Sequence, residues 1–287
     1  VSTDPVTYVI ETVIDQMDNN DCYMSRKVIT VPNNVSIVVE SGATTTTTTS
    51  TSTGLSTVTF HGDAVSVNEG QSQSSQSPQQ KRQQKQQQTT GMRLNMLNVV
   101  NAYRIVLDSV STTHGTYLSS SKRSSIIGNS ISVKNVHSDR EIVLSASKGT
   151  VEFERVTSPK VIVRSSLSSD VIGKNVDLVR YGELVVESDT GSQTLHQVKN
   201  AGTIRCTSNS GPLSVTLFDG DWYGRFNLVS KREATLISSS YLNDRIRKTA
   251  NELTVVRGFF NKTLSPPALT EGSLDMTSDA AVTLDLR

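Results

Sequence analysis

The chain has 287 residues, of which 35% are hydrophobic and 19% charged, and its formal net charge is +1. This near-neutral balance argues against a bulk electrostatic attraction to nucleic acid or to an acidic membrane surface. Aromatic residues make up only 5% of the chain, which argues against a base-stacking platform or an aromatic carbohydrate cleft. No stretch approaches the roughly 18 consecutive apolar residues of a membrane span. The sequence begins at Val1 and not at methionine, which predicts a processed or trimmed product, so a signal or anchor could have existed outside these residues.

The first third of the chain divides into two regions. Residues 1–68 carry strand signals at 35–40 and 55–60, separated by polar turns, and we assign them to the N-terminal coils of a solenoid. Residues 69–90 are rich in Gln and Ser and cannot repay their ordering entropy by burial, so they predict a disordered insertion. The functional alternative for this insertion is a tether or a multivalent contact.

Residues 91–287 form the main solenoid, and residues 129–218 within it repeat about every 20 positions. Five units begin at Asn129, Gly149, Ser169, Gly191 and Gly211, with spacings of 20, 20, 22 and 20 residues. An apolar residue of a second strand lies seven positions before four of these starts, at Ile142, Ile162, Leu184 and Ile204. Upstream, residues 93–99 resemble 130–136 and residues 104–107 resemble 141–144, which predicts equivalent positions in the coil.

A fixed period of this length is typical of a solenoid, in which each coil buries its apolar edge against neighbouring coils. Apolar residues alternate within each unit and Val, Ile and Thr dominate, so the units are strands, while Gly, Ser, Asn and Asp mark the turns. We therefore predict an all-β fold, a single-stranded parallel β-solenoid (β-helix) with coils of about 20 residues. We expect it to be right-handed, because parallel β connections nearly always are.

Stacking the coils predicts two inward-facing columns. These are Ile131/Val151/Val171/Leu213 and Val136/Val156/Val176/Val198/Phe218. Gln193, Gly173 and Arg164 interrupt the columns, which we interpret as local bulges or outward rotations, with a functional site as the alternative. The two extra residues around Tyr181 and Gly182 favour a bulge in that coil.

The C-terminal region continues the pattern with an interruption. Residues 226–229 and 233–237 are predicted strands. Residues 238–255 are ambiguous, because Leu242, Ile246 and Leu253 could line one face of a short helix. Residues 272–286 copy the shape of residues 202–218, which predicts a last coil.

The arrangement of strand, Ser/Asn/Asp-Gly turn and strand in TIRCTSNSGPLSVTLF (203–218) and GELVVESDTGSQTLHQV (182–198) resembles the adhesin-like family of β-solenoid domains. The segments DWYGRFNLVSKREATLI, VVRGFF and GSLDMTSDAAVTLDL look like the terminal part of its eukaryotic members. The resemblance covers roughly residues 92–287, and the Gln-rich insertion departs from the family's compact pattern. It implies a parallel β-solenoid displayed outside the cytoplasm near a membrane, and it carries no catalytic signature and no ligand.

The sequence contains no recognisable catalytic, cofactor or metal signature. The four histidines are dispersed and lack metal-ligand spacing: His61, His114, His137 and His196. There is no nucleophile elbow, Walker loop or dinucleotide fingerprint. Cys206 alternates with Ile204 and is expected to be a small core residue, while a disulfide between Cys22 and Cys206 stays open. We predict a non-enzyme without catalytic, cofactor-binding or metal-binding residues.

The enzymatic alternative is a carbohydrate-active β-helix, either a polysaccharide lyase or a glycoside hydrolase. Such enzymes need carboxylates that converge on one outer face. The candidates are Asp170 and Asp189 at comparable turns, with Glu152, Glu154, Asp177 and Glu187 on nearby strands. Because Lys148, Lys174 and Arg205 lie on neighbouring faces, we interpret the set as a solvated surface of mixed charge.

Two sequons, at Asn34 and Asn261, and a Thr run at 44–49 are candidate glycosylation sites and favour the extracellular or lumenal side of a membrane. The rival location is the mitochondrion or another organelle. We expect a structural or adhesin-like scaffold that binds a protein partner or a surface glycan, and no nucleic acid, through an end coil or a long lateral face. A homo-oligomer or an accessory subunit of a larger complex remains an alternative.

Overall fold

The computed structural model describes residues 36–40, 57–61, 92–102, 104–120, 129–261 and 271–287. These ranges form 18 strands, joined in one hydrogen-bonded system, and one 3-10 turn. The strands are β1 (Ser36–Glu40), β2 (Thr57–His61), β3 (Met92–Ala102), β4 (Arg104–Asp108), β5 (Val110–Ser120), β6 (Asn129–Ser138), β7 (Ile142–Ala146), β8 (Thr150–Thr157), β9 (Lys160–Ser165), β10 (Val171–Ser188), β11 (Gln193–Ser208), β12 (Leu213–Leu217), β13 (Gly224–Ser230), β14 (Ala234–Ser238), β15 (Ile246–Asn251), β16 (Val255–Phe260), β17 (Gly272–Ser278) and β18 (Val282–Leu286).

The predicted parallel β-solenoid is confirmed. One side of each coil, which we name the first sheet, stacks β4, β6, β8, the start of β10, the start of β11 and β12 in parallel. The other side, the second sheet, stacks β5, β7, β9, the end of β10 and the end of β11. Alternating apolar side chains point between the two sheets and fill a continuous core, whose members are almost all less than 3% exposed. We call residues 129–217 the sequential coils, because each one stacks on its neighbour in sequence.

Both predicted inward columns exist, and the first is continuous through Gln193. Ile131, Val151, Val171, Gln193 and Leu213 are consecutive partners in the first sheet. The second column runs from Val136 to Val198, but Phe218 lies beyond the end of β12 and does not join it. The predicted bulge is confirmed, since the register between β10 and β11 shifts on both sides of Gly182.

A column of left-handed residues forms the corner between the two sheets. Asn135, Arg155, Asn175 and Gln197 have φ values of 51°, 53°, 53° and 62°, and each is skipped in the ladder between coils. Asn tolerates this conformation better than most residues, because its short polar side chain bonds locally. Asn135 Nδ2 donates to Asp108 Oδ1 at 2.8 Å, which joins the corner to the coil before it.

Buried serines close the turn at the other end of each coil. They occupy one column at the end of the second sheet: Ser165, Ser188, Ser208, Ser278 and Ser230. Their hydroxyls bond to the main chain of the following turn or of a neighbouring coil. Ser278 Oγ, for example, donates to the Gly211 carbonyl at 2.6 Å and accepts from the Ala280 amide at 3.0 Å. These hydroxyls thereby satisfy buried polar groups of the main chain in the turns.

The C-terminal residues do not stack in sequence order. β17 lies between β11 and β13 in the second sheet, and β18 lies between β12 and β14 in the first sheet. We call residues 272–286 the inserted coil. The coil of β13 and β14 is thus separated from β11 and β12 by one coil position. The end of the chain returns and fills that position.

An antiparallel pair of strands, β15 and β16, covers the end of the second sheet, and we call it the cap hairpin. β16 pairs with β13, and β15 pairs with β16 through a register irregularity at Lys248. Residues Ser240–Arg245 form a 3-10 turn that places Leu242 in the core, at 0% exposure. The expected short helix is therefore a single turn, since Ile246 opens β15 and Leu253 is 72% exposed.

The positions predicted for two segments before the regular repeats were wrong. Residues 93–99 do not occupy the place of 130–136, because Leu97 aligns through Thr116 with Ile142 of the second sheet. Residues 104–107 belong to the first sheet instead, where Ile105 aligns with Ile131. All strands of the solenoid share the same alternation of apolar residues, so similarity between two strands does not identify the sheet to which each belongs.

The three interruptions of the columns have other causes than the predicted bulges and rotations. Gln193 points inward, at 1% exposure, and its Nε2 donates to Ser188 Oγ at 2.8 Å and to the Thr207 carbonyl at 2.7 Å. Gly173 also lies inward, and a Cβ there would come within 2.5 Å of the Phe153 ring, so the glycine makes room for the aromatic side chain. Arg164 does not belong to an inward column, because β9 is shifted by one residue. Val161, and not Ile162, aligns with Ile142 and Leu184.

Candidate interaction surfaces

An apolar row lies on the outside of the second sheet. We name it the outer stripe, and it consists of Tyr117, Val143, Ile162 and Val185. These residues are consecutive ladder partners in β5, β7, β9 and β10, and each is partly exposed. They face outward because their strand neighbours, such as Ile142, Val161 and Leu184, occupy the core at 0% exposure. The one-residue shift of β9 therefore turns Ile162 from an expected core residue into part of an outer surface.

Charged pairs flank the outer stripe on both sides. On one side Lys160 Nζ lies 3.0 Å from Glu183 Oε2, and on the other Arg164 Nε lies 3.1 Å from Glu187 Oε2. Tyr117 donates its hydroxyl to Glu141 Oε1 at 2.7 Å, and this hydrogen bond, helped by burial, raises the pKa of the tyrosine. Exposed ion pairs of this kind contribute little stability. Their main effect is to surround the stripe with charges of both signs.

A second surface lies on the outer face of β13, β15 and β16. We name it the arginine groove, since Arg225, Arg247 and Arg257 line two adjoining shallow depressions together with Thr249 and Phe259. Two of the guanidinium groups are held in place. Arg225 Nε lies 2.9 Å from Glu271 Oε1, and Arg257 Nε donates to Asn227 Oδ1 at 2.8 Å. The sequence pattern does not reveal this groove, because it is assembled only by the antiparallel pairing of β13 with β16 and of β16 with β15.

The carboxylates of the enzymatic alternative bond to neighbouring coils and side chains. Asp170 accepts from the Ser192 amide at 2.8 Å and from its hydroxyl at 2.7 Å, while Asp189 accepts from Asn209 Nδ2 at 3.1 Å. Asp177 likewise accepts from Asn200 Nδ2 at 2.8 Å. Glu154 lies 3.8 Å from Lys134, Glu187 pairs with Arg164, and Glu152 is also engaged. Most of these bonds join residues about 20 apart, so the carboxylates tie one coil to the next.

Metal-ligating and nucleophilic side chains do not cluster within the described residues. Within the ranges that the structure describes, no group of three or more His, Cys, Asp or Glu side chains is placed to hold a metal ion. His137 Nε2 lies 2.8 Å from Asp139 Oδ1, and His196 packs edge-on against Phe218 with 5.3 Å between ring centroids. Cys206 is a core residue as expected, and burial raises the pKa of its thiol to about 12. The other cysteine, Cys22, lies outside the described residues, so the question of a disulfide stays open.

The candidate glycosylation sites are only partly described. Asn261 is exposed at the end of β16, where its Nδ2 donates to the Arg245 carbonyl at 3.0 Å. Asn34, the Thr run at 44–49, the insertion at 69–90 and the remainder of the Asn261 sequon lie outside the described residues. Among the residues placed by the structure, no helix has the length and hydrophobicity to span a bilayer.

Comparison with known proteins adds no relative. No protein-family model matches the chain, and no curated protein or solved structure matches it.

Proposed function

We propose that the chain is a non-enzymatic β-solenoid scaffold, an adhesin-like module that binds a protein partner through the outer stripe. The outer stripe itself carries this proposal. Aliphatic and aromatic side chains form a row across four neighbouring strands, where a solvated sheet face would normally carry polar residues. An apolar centre with a polar rim is the usual anatomy of a protein–protein interface.

The charges around the stripe favour a protein over a polyanion. Lys160, Glu183, Arg164 and Glu187 present both signs within the same face, and they pair with each other. A polyanionic ligand would meet repulsion from the glutamates, whereas a protein surface can complement charges of either sign. Four strands at a spacing of about 4.8 Å give the row a length of about 15 Å, which suits the centre of a small interface.

The test compares two isoleucines on opposite outer faces. Ile162→Glu places a charge in the outer stripe, while Ile172→Glu places the same charge on the outside of the first sheet, between Glu152 and Thr194. The circular dichroism and melting temperature of both variants are first compared with those of the parent. Both variants are then expressed in the native host cells and purified under native conditions. We expect Ile162→Glu to lose a stoichiometric partner that the parent and Ile172→Glu retain. Equal retention, or equal loss, by the two folded variants would exclude the stripe as the binding surface.

We place the module on the extracellular or lumenal side of a membrane, with the mitochondrion or another organelle as the rival location. The resemblance to the adhesin-like family and the two sequons support this placement. The intact mass of the native chain tests it. A glycan mass on Asn34, Asn261 or the Thr run is the expected result, and an unmodified chain in a stoichiometric assembly would favour an organellar structural subunit.

A second candidate is binding of an anionic surface glycan in the arginine groove. Three guanidinium groups, opposed by the carboxylates of Glu271 and Asp275, lie beside the partly exposed Phe259 ring and provide the charge and the apolar platform that such a ligand requires. Retention on a sulfated-glycan column should fall in Arg225→Ala and Arg247→Ala and not in Arg232→Ala, an exposed arginine in the turn after β13. Equal elution of all three variants would contradict this role.

A further inference from the structure

The inserted coil occupies a slot whose walls come from two other coils. One wall is the end of β11 with β12, and the opposite wall is β13 with β14. Without the inserted coil these walls would stand two strand spacings apart, about 9.6 Å, and four strand edges would lose their ladder partners. The slot is therefore a defined receptor for one two-stranded coil.

The slot selects its occupant by the apolar columns of the solenoid. Leu274 and Met276 continue the columns of the second sheet, and Val282, Leu284 and Leu286 continue those of the first. All five side chains are at most 1% exposed. A segment that fills the slot must supply this alternation on both sides of a tight turn, and residues 272–286 supply it.

Polar contacts also fix the inserted coil to both walls. Ser278 Oγ donates to the Gly211 carbonyl at 2.6 Å, and Ser230 Oγ donates to the Ala280 carbonyl at 2.6 Å. At the chain end, the Arg287 amide donates to the Leu217 carbonyl at 3.0 Å, and the Asp219 amide donates back to the Arg287 carbonyl at 2.6 Å. These bonds form between coils that are separate in the chain, so an inserted coil from another copy could make every one of them.

The geometry points to exchange of the inserted coil between copies of this chain: the slot of one molecule accepts residues 272–286 of a second molecule, which produces strand-exchanged oligomers. The contacts across each wall are the same within one chain and between two chains. Exchange therefore loses only the high effective concentration that the intramolecular connection gives the inserted coil. A high protein concentration offsets this loss. The sequential coils cannot exchange one by one in this way, because each is linked at both ends to the coils that it contacts.

The experiment uses two full-length single-cysteine partners, Thr207→Cys in one chain and Thr277→Cys in the other, in a Cys22→Ser background. The two outward-facing positions are ladder partners in the native register, and Cys206 is buried. The chains are unfolded together under reducing conditions, refolded at high concentration and treated with a thiol cross-linker no longer than one strand spacing, about 5 Å. A covalent heterodimer can form at this register only if one chain has placed its inserted coil in the slot of the other.

The matched control pairs Glu187→Cys in one chain with Thr207→Cys in the other. These positions are also exposed ladder partners, but they belong to consecutive sequential coils. We expect a cross-linked heterodimer from the first pair, in a yield that rises with the protein concentration during refolding, and none from the control. Absence of the heterodimer, or equal yields from the two pairs, would overturn the proposal.

Discussion

The sequential coils and the C-terminal region use the same coil shape in two different ways. In the sequential coils, each strand contacts residues 19 to 23 positions away, as from Ile142 to Val161 and from Val161 to Leu184. The inserted coil instead contacts residues about 70 positions away on one wall of the slot, as from Leu213 to Val282, and 48 positions away on the other, as from Ala234 to Val282. The difference shows that the repeat determines how a coil is built but not its place in the stack. Since every coil presents similar apolar columns, the columns alone do not determine which coils become neighbours.

The C-terminal region also carries the features that end the solenoid. β15 is short, irregular and charged, with Arg247 and Lys248 exposed, and these properties discourage the pairing of a further strand. Arg245 connects the cap hairpin to the residues that follow β12. Its guanidinium lies 2.6 Å from Asp219 Oδ1 and 4.6 Å from the centre of the Phe260 ring. The cap thus bridges over the inserted coil to the end of β12.

The largest expected effect separates the two regions with one type of substitution. Leu195→Ala in the sequential coils and Leu284→Ala in the inserted coil each remove a side chain that is at most 1% exposed, and each should cost about 2–5 kcal/mol. We expect Leu284→Ala to accelerate hydrogen exchange in the described residues from 224 onward and at the edges of β11 and β12 that face the slot, because the inserted coil can open without the rest of the sequential coils. Leu195→Ala should accelerate exchange throughout. Identical exchange patterns in the two variants would remove the distinction between the regions.

A smaller effect tests the complementarity within the sequential coils. Gly173→Ala places a methyl group 2.5 Å from the Phe153 ring and 2.8 Å from Leu195 Cδ2, and this overpacking should cost about 1–3 kcal/mol. In the background of Phe153→Leu, which frees space at the ring position, the same substitution should cost less. Denaturant unfolding of the four proteins gives the coupling energy, and a coupling of zero would mean that the glycine is not paired with the ring.

The Cys206 thiol makes the junction between the two regions sensitive to pH. Its pKa is raised from 9.0 to about 12 by burial beside Met276 of the inserted coil, so the folded state keeps a proton that the unfolded state loses above pH 9. The contribution of this thiol to the free energy of unfolding is fully present below pH 9. As the pH rises from 9 toward 12, the free energy of unfolding should fall by about 1.4 kcal/mol per pH unit. Cys206→Ala should remove this component of the pH dependence. Unfolding curves at pH 8 and pH 10 measure it, and equal slopes in the parent and the variant would contradict the burial of the thiol.

The smallest effects are expected from exposed ion pairs in both regions. Arg164–Glu187 belongs to the sequential coils, and Lys231–Asp279, at 2.6 Å, joins the inserted coil to its neighbour. Arg164→Ala and Lys231→Ala should each cost about 0.2–1 kcal/mol, and less in high salt. A cost well above this range for Lys231→Ala alone would mean that charge, and not the apolar columns, holds the inserted coil in its slot.

The sequence predicted the coils better than their arrangement. The apolar columns and the Gly182 bulge could be read directly, because the spacing of β-branched residues and turn residues is a local property. The position of residues 272–286 in the stack could not be predicted, since the alternation within a strand does not indicate which strand will pair with it. The outer stripe was not predicted, because the alignment of the second-sheet strands placed Ile162, one residue too late, opposite Ile142. Aligning Ile142 with Val161 would have placed Ile162 on the outer face. The arginine groove depends on antiparallel pairs that a parallel repeat does not suggest.

The measurement that tests the order of the coils most directly is short-range cross-linking within one chain. Three double variants are compared at equal dilution: Thr207→Cys with Thr277→Cys, Val229→Cys with Thr277→Cys, and Thr207→Cys with Val229→Cys. In the structure Thr277 is the ladder partner of both Thr207 and Val229, which stand on opposite walls of the slot. A cross-linker of about 5 Å should therefore join the first two pairs and not the third, whose positions are two strand spacings apart. Joining of Thr207→Cys with Val229→Cys, and of neither with Thr277→Cys, would place the coils in sequence order and contradict the insertion.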